Sequence, residues 1–288
     1  MSRRLDIGVA SFKSPEKLRR CIQNVQRFST TDWRLIIVHN DSHDQEGDDA
    51  YNLAEEAARN SNQITTIKQE NTGYAGAVNS LLNFATTEYI AYLDNDAYVQ
   101  TPAWDETLCS YLDRFHEIGW IFPGEGSYLI DRGAYKEVMW ATGFCWVINR
   151  LAVTDTGKFD AEIGHQEEAD YALRLRMAGY KCACANEVSV EHDATATSDP
   201  TSIERINRGI VNWVNKWNRY FNGKNFNYHS PNVTRWDDWP PNALYLEEWW
   251  KGKLPGLNDS PEKVTVDGRV YDLLRVPRIG GFYGGRVI

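Results

Sequence analysis

The chain has 288 residues, an ordinary apolar share of 42%, and five cysteines, an odd number with no framework spacing. That is enough to bury a core in one large α/β domain, or one domain with an appendage, and it argues against a disulfide scaffold. A formal net charge of −9 disfavours nucleic acid, whose binding rests on counterion release, although it leaves room for a local basic patch.

Leu5 to Phe12 reads as a short buried strand. Ser14-Pro15 then reads as an N-cap followed by proline at the first helical position, with Leu18, Cys21, Ile22, Val25 and Phe28 at helical spacing. Leu35 to Val38 is a second buried strand, ending in the polar loop His39-Asn40-Asp41-Ser42. A helix around Asp48 to Arg59, a strand around Ile64 to Lys68, a helix over Gly73 to Phe84 and a strand over Tyr89 to Leu93 follow. This rhythm predicts an α/β fold, with a Rossmann-like, mostly parallel central sheet flanked by helices. Ligands gather at the carboxyl ends of such strands. Ser11, Asn40-Asp41-Ser42, Asn71 and Asp94-Asn95-Asp96 stand at those ends and could converge in space.

The middle of the chain is less regular. A helix is expected near Trp104 to His116, a strand near Met139 to Asn149, and a helix from Glu167 to Ala178 stopped by Gly179. A strand through Lys181 to Val190 follows, with Cys182 and Cys184 facing one side as small apolar residues. Ile203 to Phe221 has a helical pattern. After Tyr228 the composition shifts to Pro, Gly, Asn and Trp. The tail carries Trp236, Trp239, Trp249 and Trp250 and is expected to be an ordered arm on the core, either packing there or shaping an acceptor site. The division expected is residues 1–200 as a catalytic domain and 201–288 as a helix plus this extension. No run reaches the roughly 18–20 apolar residues that cross a bilayer. With unpaired thiols and no apolar segment behind Arg3-Arg4, the expected location is the cytoplasm.

Four constellations carry chemistry. In Asp94-Asn95-Asp96, residues two apart on an extended chain point to one side, so both carboxylates can face a divalent cation and a diphosphate; the plain alternative is an acidic surface turn. In Gly164 to Asp170, Glu167, Glu168 and Asp170 crowd one helix start. That is either dipole capping or a way to raise a carboxylate pKa for proton abstraction. Arg174 lies four residues after Asp170 and could pair with it. His192 follows a strand and is either structural or an imidazole for the same metal. Asn71-Thr72-Gly73-Tyr74-Ala75-Gly76-Ala77-Val78-Asn79 has two glycines at a helix start, where anions are welcome, but lacks the dinucleotide fingerprint and the Walker lysine.

Taken in order, these segments resemble the inverting glycosyltransferases of family 2, which have the GT-A fold. Ile7 to Phe12 looks like the family's first strand, Ile36 to Ser42 like its base-binding strand and loop, and Asn71 to Asn79 like a segment of the rhamnosyltransferase-like branch. Asp94-Asn95-Asp96 matches the Asp-x-Asp metal motif. Ala141-Thr142-Gly143-Phe144 resembles the acceptor-side strand. Phe159-Asp160 with Glu167-Glu168-Ala169-Asp170 and Arg174 matches the Glu-Asp-x-Asp…Arg motif, and His192 the late metal-binding histidine. The likeness covers roughly residues 5 to 195. It departs at His39, where the family usually has Asp, and at Glu168, which holds the catalytic aspartate position.

The resemblance implies a hexosyltransferase-type enzyme that moves a sugar from a nucleotide-sugar donor to an acceptor hydroxyl with inversion. It implies manganese or magnesium on Asp96 and His192, with Asp94 near the metal or the ribose. It places Ser11, Asn40, Asp41, Asn71, Gly73, Asn79, Asp94 and Asn95 around the donor. Glu168 is the implied base with Glu167 next in line, and Trp140, Thr142, Gly143 and Asp170 are implied on the acceptor side. The acceptor is left open between glycan, lipid-linked sugar, protein, small molecule and modified nucleic acid, as is the oligomeric state. A sugar-phosphate nucleotidyltransferase, a carbohydrate-binding protein using the late Trp residues, and a retaining transferase are the competing readings.

Overall fold

The computed structural model describes residues 4–124, 128–138, 143–164 and 167–193, together with residues 208, 209, 212, 213 and 216 and a strand pair at 262–266 and 269–273. The expected tail tryptophans, and Trp140 and Thr142 of the acceptor-side strand, lie outside the described residues, as does most of the helical pattern from Ile203.

The first half follows the sequence rhythm. Strands β1 (Leu5–Ser11), β2 (Trp33–Asp41), β3 (Ile64–Glu70) and β4 (Tyr89–Asp94) alternate with helices α1 (Pro15–Phe28), α2 (Gln45–Asn60) and α3 (Gly73–Phe84). These strands pair in parallel in the order β3-β2-β1-β4. The near-continuous buried runs of β1, β2 and β4 suit strands covered on both faces, whereas the edge strand β3 is only partly buried. Alternate residues feed two cores. Ile7, Val9, Leu35 and Ile37 pack with Leu18, Cys21 and Val25 of α1, whereas Ile36, Val38, Ile90 and Tyr92 pack with Ala75, Val78 and Leu81 of α3. Gly8 permits that second contact, because a Cβ there would lie 2.1 Å from a Leu81 methyl.

The second half is mixed. After β5 (Ala97–Val99) and α4 (Trp104–Arg114) come β6 (Ile118–Pro123), β7 (Tyr128–Asp131), β8 (Lys136–Val138), β9 (Cys145–Asn149), α5 (Arg150–Thr156), α6 (Glu167–Met177), β10 (Lys181–Ala185) and β11 (Val190–His192). The sheet continues from β4 as β9-β6-β10-β8-β7. Here only β6 and β10 run parallel; β9 is antiparallel to both β4 and β6, and β8 to both β10 and β7. The parallel character therefore belongs to the N-terminal half. The pair β12 (Glu262–Val266) and β13 (Arg269–Leu273) forms an antiparallel hairpin.

Several local expectations change. Pro15 does open α1, but Ser14 is left-handed (φ 51°) and makes no side-chain cap; its N–H donates to Glu46 Oε1 instead. Helix α2 starts earlier than its apolar pattern, because Asp44 accepts from the Gly47 N–H at 2.9 Å. The run from Lys181 to Val190 is two strands, since β11 leaves the main sheet to pair antiparallel with β5. Cys182 and Cys184 are buried in β10, and all five cysteines are buried and outside any disulfide. No helix among the described residues is long and apolar enough to cross a membrane.

Candidate active site at the carboxyl end of the parallel strands

Strand β4 ends at Asp94, and register places Asp94 beside Ala10 of β1, while Ser11 pairs with His39 of β2. The turn after β4 carries Asn95 and Asp96. The β5–β11 ladder pairs His192 with Ala97, and the Asp193 N–H donates to the Asp96 carbonyl at 3.0 Å. A three-residue ladder thus delivers an imidazole from almost a hundred residues away. His192 Nε2 lies 3.3 Å from Asp96 Oδ1 and 3.8 Å from Asp94 Oδ2. Ligand atoms from all three side chains fall within 4.8 Å of one another, a geometry that could hold a metal ion.

The cluster concentrates negative charge. Burial pushes the Asp94 carboxyl up to about 6; the hydrogen bond from the Tyr92 hydroxyl opposes this, Asp96 adds to it and His192 opposes it. His192 is raised: burial acts to lower it, but the hydrogen bond to Asp96 and the charges of Asp94, Asp96 and Asp193 outweigh that. Lys17 of α1 already leans in, 3.6 Å from Asp96 Oδ2 and 3.2 Å from Asp193 Oδ2. Two carboxylates and an imidazole are a hard, mixed O/N donor set of the kind manganese or magnesium accepts. Phe144 braces two of the three, because its carbonyl accepts the Asp94 N–H at 2.8 Å and its ring stacks on His192 at 4.5 Å.

Glu168 sits in the first turn of α6 with Glu167 and Asp170. Its carboxylate fills the space beside Gly143, where a Cβ would come within 2.1 Å of Glu168 Oε1. Gly143 adjoins Phe144, so the acid lies next to the bracket of the metal cluster. Burial, then the neighbouring Glu167 charge, and then Asp94 push the Glu168 carboxyl up to about 8, against a backbone hydrogen bond that lowers it. That value suits a group that takes up a proton near neutral pH.

The remaining sequence-derived site residues divide. Asn40 is tied into the β2–β3–α3 junction, with Nδ2 donating to the Gly73 carbonyl at 3.3 Å and Oδ1 accepting from Gln69 at 2.8 Å. Asp41 pairs with Lys68 at 2.8 Å, and that hydrogen bond, with the His43 N–H, lowers it to about 2. Asn71 Oδ1 accepts from the N–H of Gly73, which is left-handed at φ 70°. Ser11 Oγ lies 3.3 Å from His39 Nδ1, and Asn95 Nδ2 donates to the Lys13 carbonyl at 3.4 Å.

Two residues bond to other parts of the chain. Asn79 clasps the backbone of Phe159, donating to its carbonyl at 2.8 Å and accepting from its N–H at 2.9 Å. Asp170 is wholly buried and pairs with Arg174 at 2.8 Å, as the helical spacing anticipates, and with Lys216 at 2.7 Å. Both arrangements hold structure together. Sequence reasoning missed Lys17 and Tyr92, and took Phe12 only as part of the first strand. Phe12 is 42% exposed at the end of β1, where an open aromatic face can stack on a planar ring; an exposed aromatic at a strand's carboxyl end was the available signal.

The family model for glycosyl transferase family 2 matches residues 6–153. The putative glycosyltransferase EpsH of Bacillus subtilis (strain 168) is 29% identical over 122 residues, a match that takes in 38% of this chain and 34% of that one. The chain thus spans about a third of the length of that relative. Among solved structures, the fold is similar to a mannosyltransferase from Pyrobaculum calidifontis in complex with GDP-Man and Mn2+ (TM-score 0.59, 16% identity, 76% of this chain and 65% of that one). It is equally similar to GalNAc-T7 with UDP, GalNAc and Mn2+ (TM-score 0.59, 14% identity, 76% and 49%). These structures share the GT-A fold with this chain.

Proposed function

The chain belongs to glycosyl transferase family 2, and from that premise we propose that it is a metal-dependent, hexosyltransferase-type enzyme that moves a sugar from a nucleoside-diphosphate sugar to an acceptor hydroxyl with inversion. The observation that carries this reading is the meeting of Asp94, Asp96 and His192 beside Glu168 at the carboxyl end of the parallel strands. Asp94, Asp96 and His192 would hold the cation. A divalent ion there would neutralise the charge that develops on the departing diphosphate.

The chain's own residues supply the rest. Phe12, Asn40 and Asn71 lie at the ends of β1 and β2 and ahead of α3, the edge along which a nucleotide can lie. Glu168 takes the proton from the acceptor hydroxyl as that oxygen attacks the anomeric carbon. One residue acting from one side favours direct displacement, which inverts the anomeric centre. Gly143 leaves the room in which the Glu168 carboxylate sits.

The two solved enzymes were captured with GDP-Man and with UDP and GalNAc, which supports a nucleotide-sugar donor here. A thermal-shift screen of GDP- and UDP-sugars, with and without manganese, identifies the donor. NMR of the product then reads its anomeric configuration. Retention of configuration would reject direct displacement, and full transfer in excess chelator would reject the metal.

A further inference from the structure

Tyr92 and Asp94 are two residues apart on β4 and so face the same side. The Tyr92 hydroxyl donates to Asp94 Oδ1 at 2.7 Å. Its ring is 1% exposed and fixed from two directions, stacked on Trp146 of β9 at 5.2 Å and met edge-on by Tyr74 of α3 at 5.3 Å. A ring clamped between two elements can swing its hydroxyl to few other partners. With Oδ1 engaged, Asp94 turns Oδ2 toward His192, 3.8 Å from Nε2.

We propose that Tyr92 is a positioning residue that locks the Asp94 carboxylate in one rotamer, occupying one oxygen so that the other serves as a single-oxygen ligand for the divalent cation. The inference rests on the metal reading given above. Groups that orient metal ligands typically contribute about 10–100-fold in affinity. Tyr92→Phe removes the hydroxyl and keeps the ring. Tyr74→Phe is the control: it removes a neighbouring half-buried hydroxyl, one that accepts from Trp146 Nε1 at 3.2 Å, without touching Asp94.

Manganese affinity of the full chain is measured by EPR titration, with melting followed by circular dichroism. Wild type and Tyr74→Phe should bind alike, and Tyr92→Phe should bind about 10–100-fold more weakly at a similar Tm. In an Asp94→Ala background, Tyr92→Phe should add no further loss, since its effect runs through that carboxylate. Wild-type affinity in Tyr92→Phe would overturn the inference while leaving the metal site standing. So would equal losses in both tyrosine variants with a falling Tm, or a further loss in the Asp94→Ala background. Manganese binding by wild type no stronger than by Asp96→Ala would remove the metal reading and this inference with it.

Discussion

Gly143→Ala tests whether the position of Glu168 matters for chemistry rather than for folding. The added Cβ would lie 2.1 Å from Glu168 Oε1 and 3.1 Å from its Cδ, against an ordinary contact of 3.4 Å or more. The carboxylate must therefore retreat by more than 1 Å. Its side chain is flexible, so the retreat itself costs little, and Gly143 does not have a left-handed φ that would strain alanine. Replacing glycine by alanine also trims the unfolded ensemble, worth about 0.4–1 kcal/mol of stability. The Tm should hold or rise slightly. A displacement of about 1 Å at a reacting group can cost about 10²-fold in rate, or about 2.7 kcal/mol of barrier. The expected signature is a kcat reduced about a hundredfold with donor KM and manganese affinity near wild type. Steady-state kinetics beside a melting curve reads all of it. An unchanged kcat would refute the placement of the base, and a lost donor affinity would move Gly143 into donor binding.

The other tests are simpler. Glu168→Gln should slow transfer by about 10²–10⁴-fold while leaving donor binding intact, as measured by isothermal titration. In wild type, the rate should rise with pH as the raised Glu168 carboxyl loses its proton, at a pH below about 8 because a cation on Asp94 would favour the anion. The same group bears on stability: its folded pKa lies above the ordinary carboxyl value of 4.5, so its contribution is complete below that value and is lost as pH rises through about 8. Metal-free melting curves should show that slope in wild type and lack it in Glu168→Gln. Asp96→Ala or a chelator should abolish transfer, with manganese restoring only the chelated wild type; activity in excess chelator would remove the metal. Asn79→Ala should lower the Tm, as expected for loss of a half-buried two-point clasp worth about 1–3 kcal/mol, and leave donor KM unchanged. A raised donor KM at constant Tm would return Asn79 to the donor site.

The N-terminal half was legible because local signals agree there. Continuous apolar runs, Pro15 at the start of α1 and polar residues at the strand ends all point to parallel β-α units. The second half was less so. Its antiparallel β9 and the β7–β8 pair depend on contacts between distant segments, which leave no periodicity in the sequence. Asp94, Asp96 and Glu168 could be singled out from spacing and motif order. The contact of Glu168 with Gly143 could not, because nothing local marks two residues that meet across 25 positions. The clasp of Asn79 on Phe159 was hidden for the same reason: Asn79 sits in a Gly- and Asn-rich stretch that reads as ligand-binding, while its partner Phe159 is 80 residues away. The Asp170–Arg174 pair was visible because both ends lie on one helix face.

The short β5–β11 ladder has a consequence for how this chain becomes a working molecule. It is a side sheet of two three-residue strands, separate from the main one, and closing it requires joining segments nearly a hundred residues apart. Strand β10 is already fixed in the main sheet five residues earlier, so β11 itself is held by three ladder pairings and the flanking Gln100–Ser189 and Asp193–Asp96 backbone bonds. An ion bridging Asp96 and His192 would act as a reversible cross-link over the same span, adding about 2.7 kcal/mol to the closed state at a hundred times its dissociation constant. Ion supply and completion of the fold would then be thermodynamically linked: a chain starved of metal would lose more than a Lewis acid, because the segment carrying its histidine would also be less firmly seated.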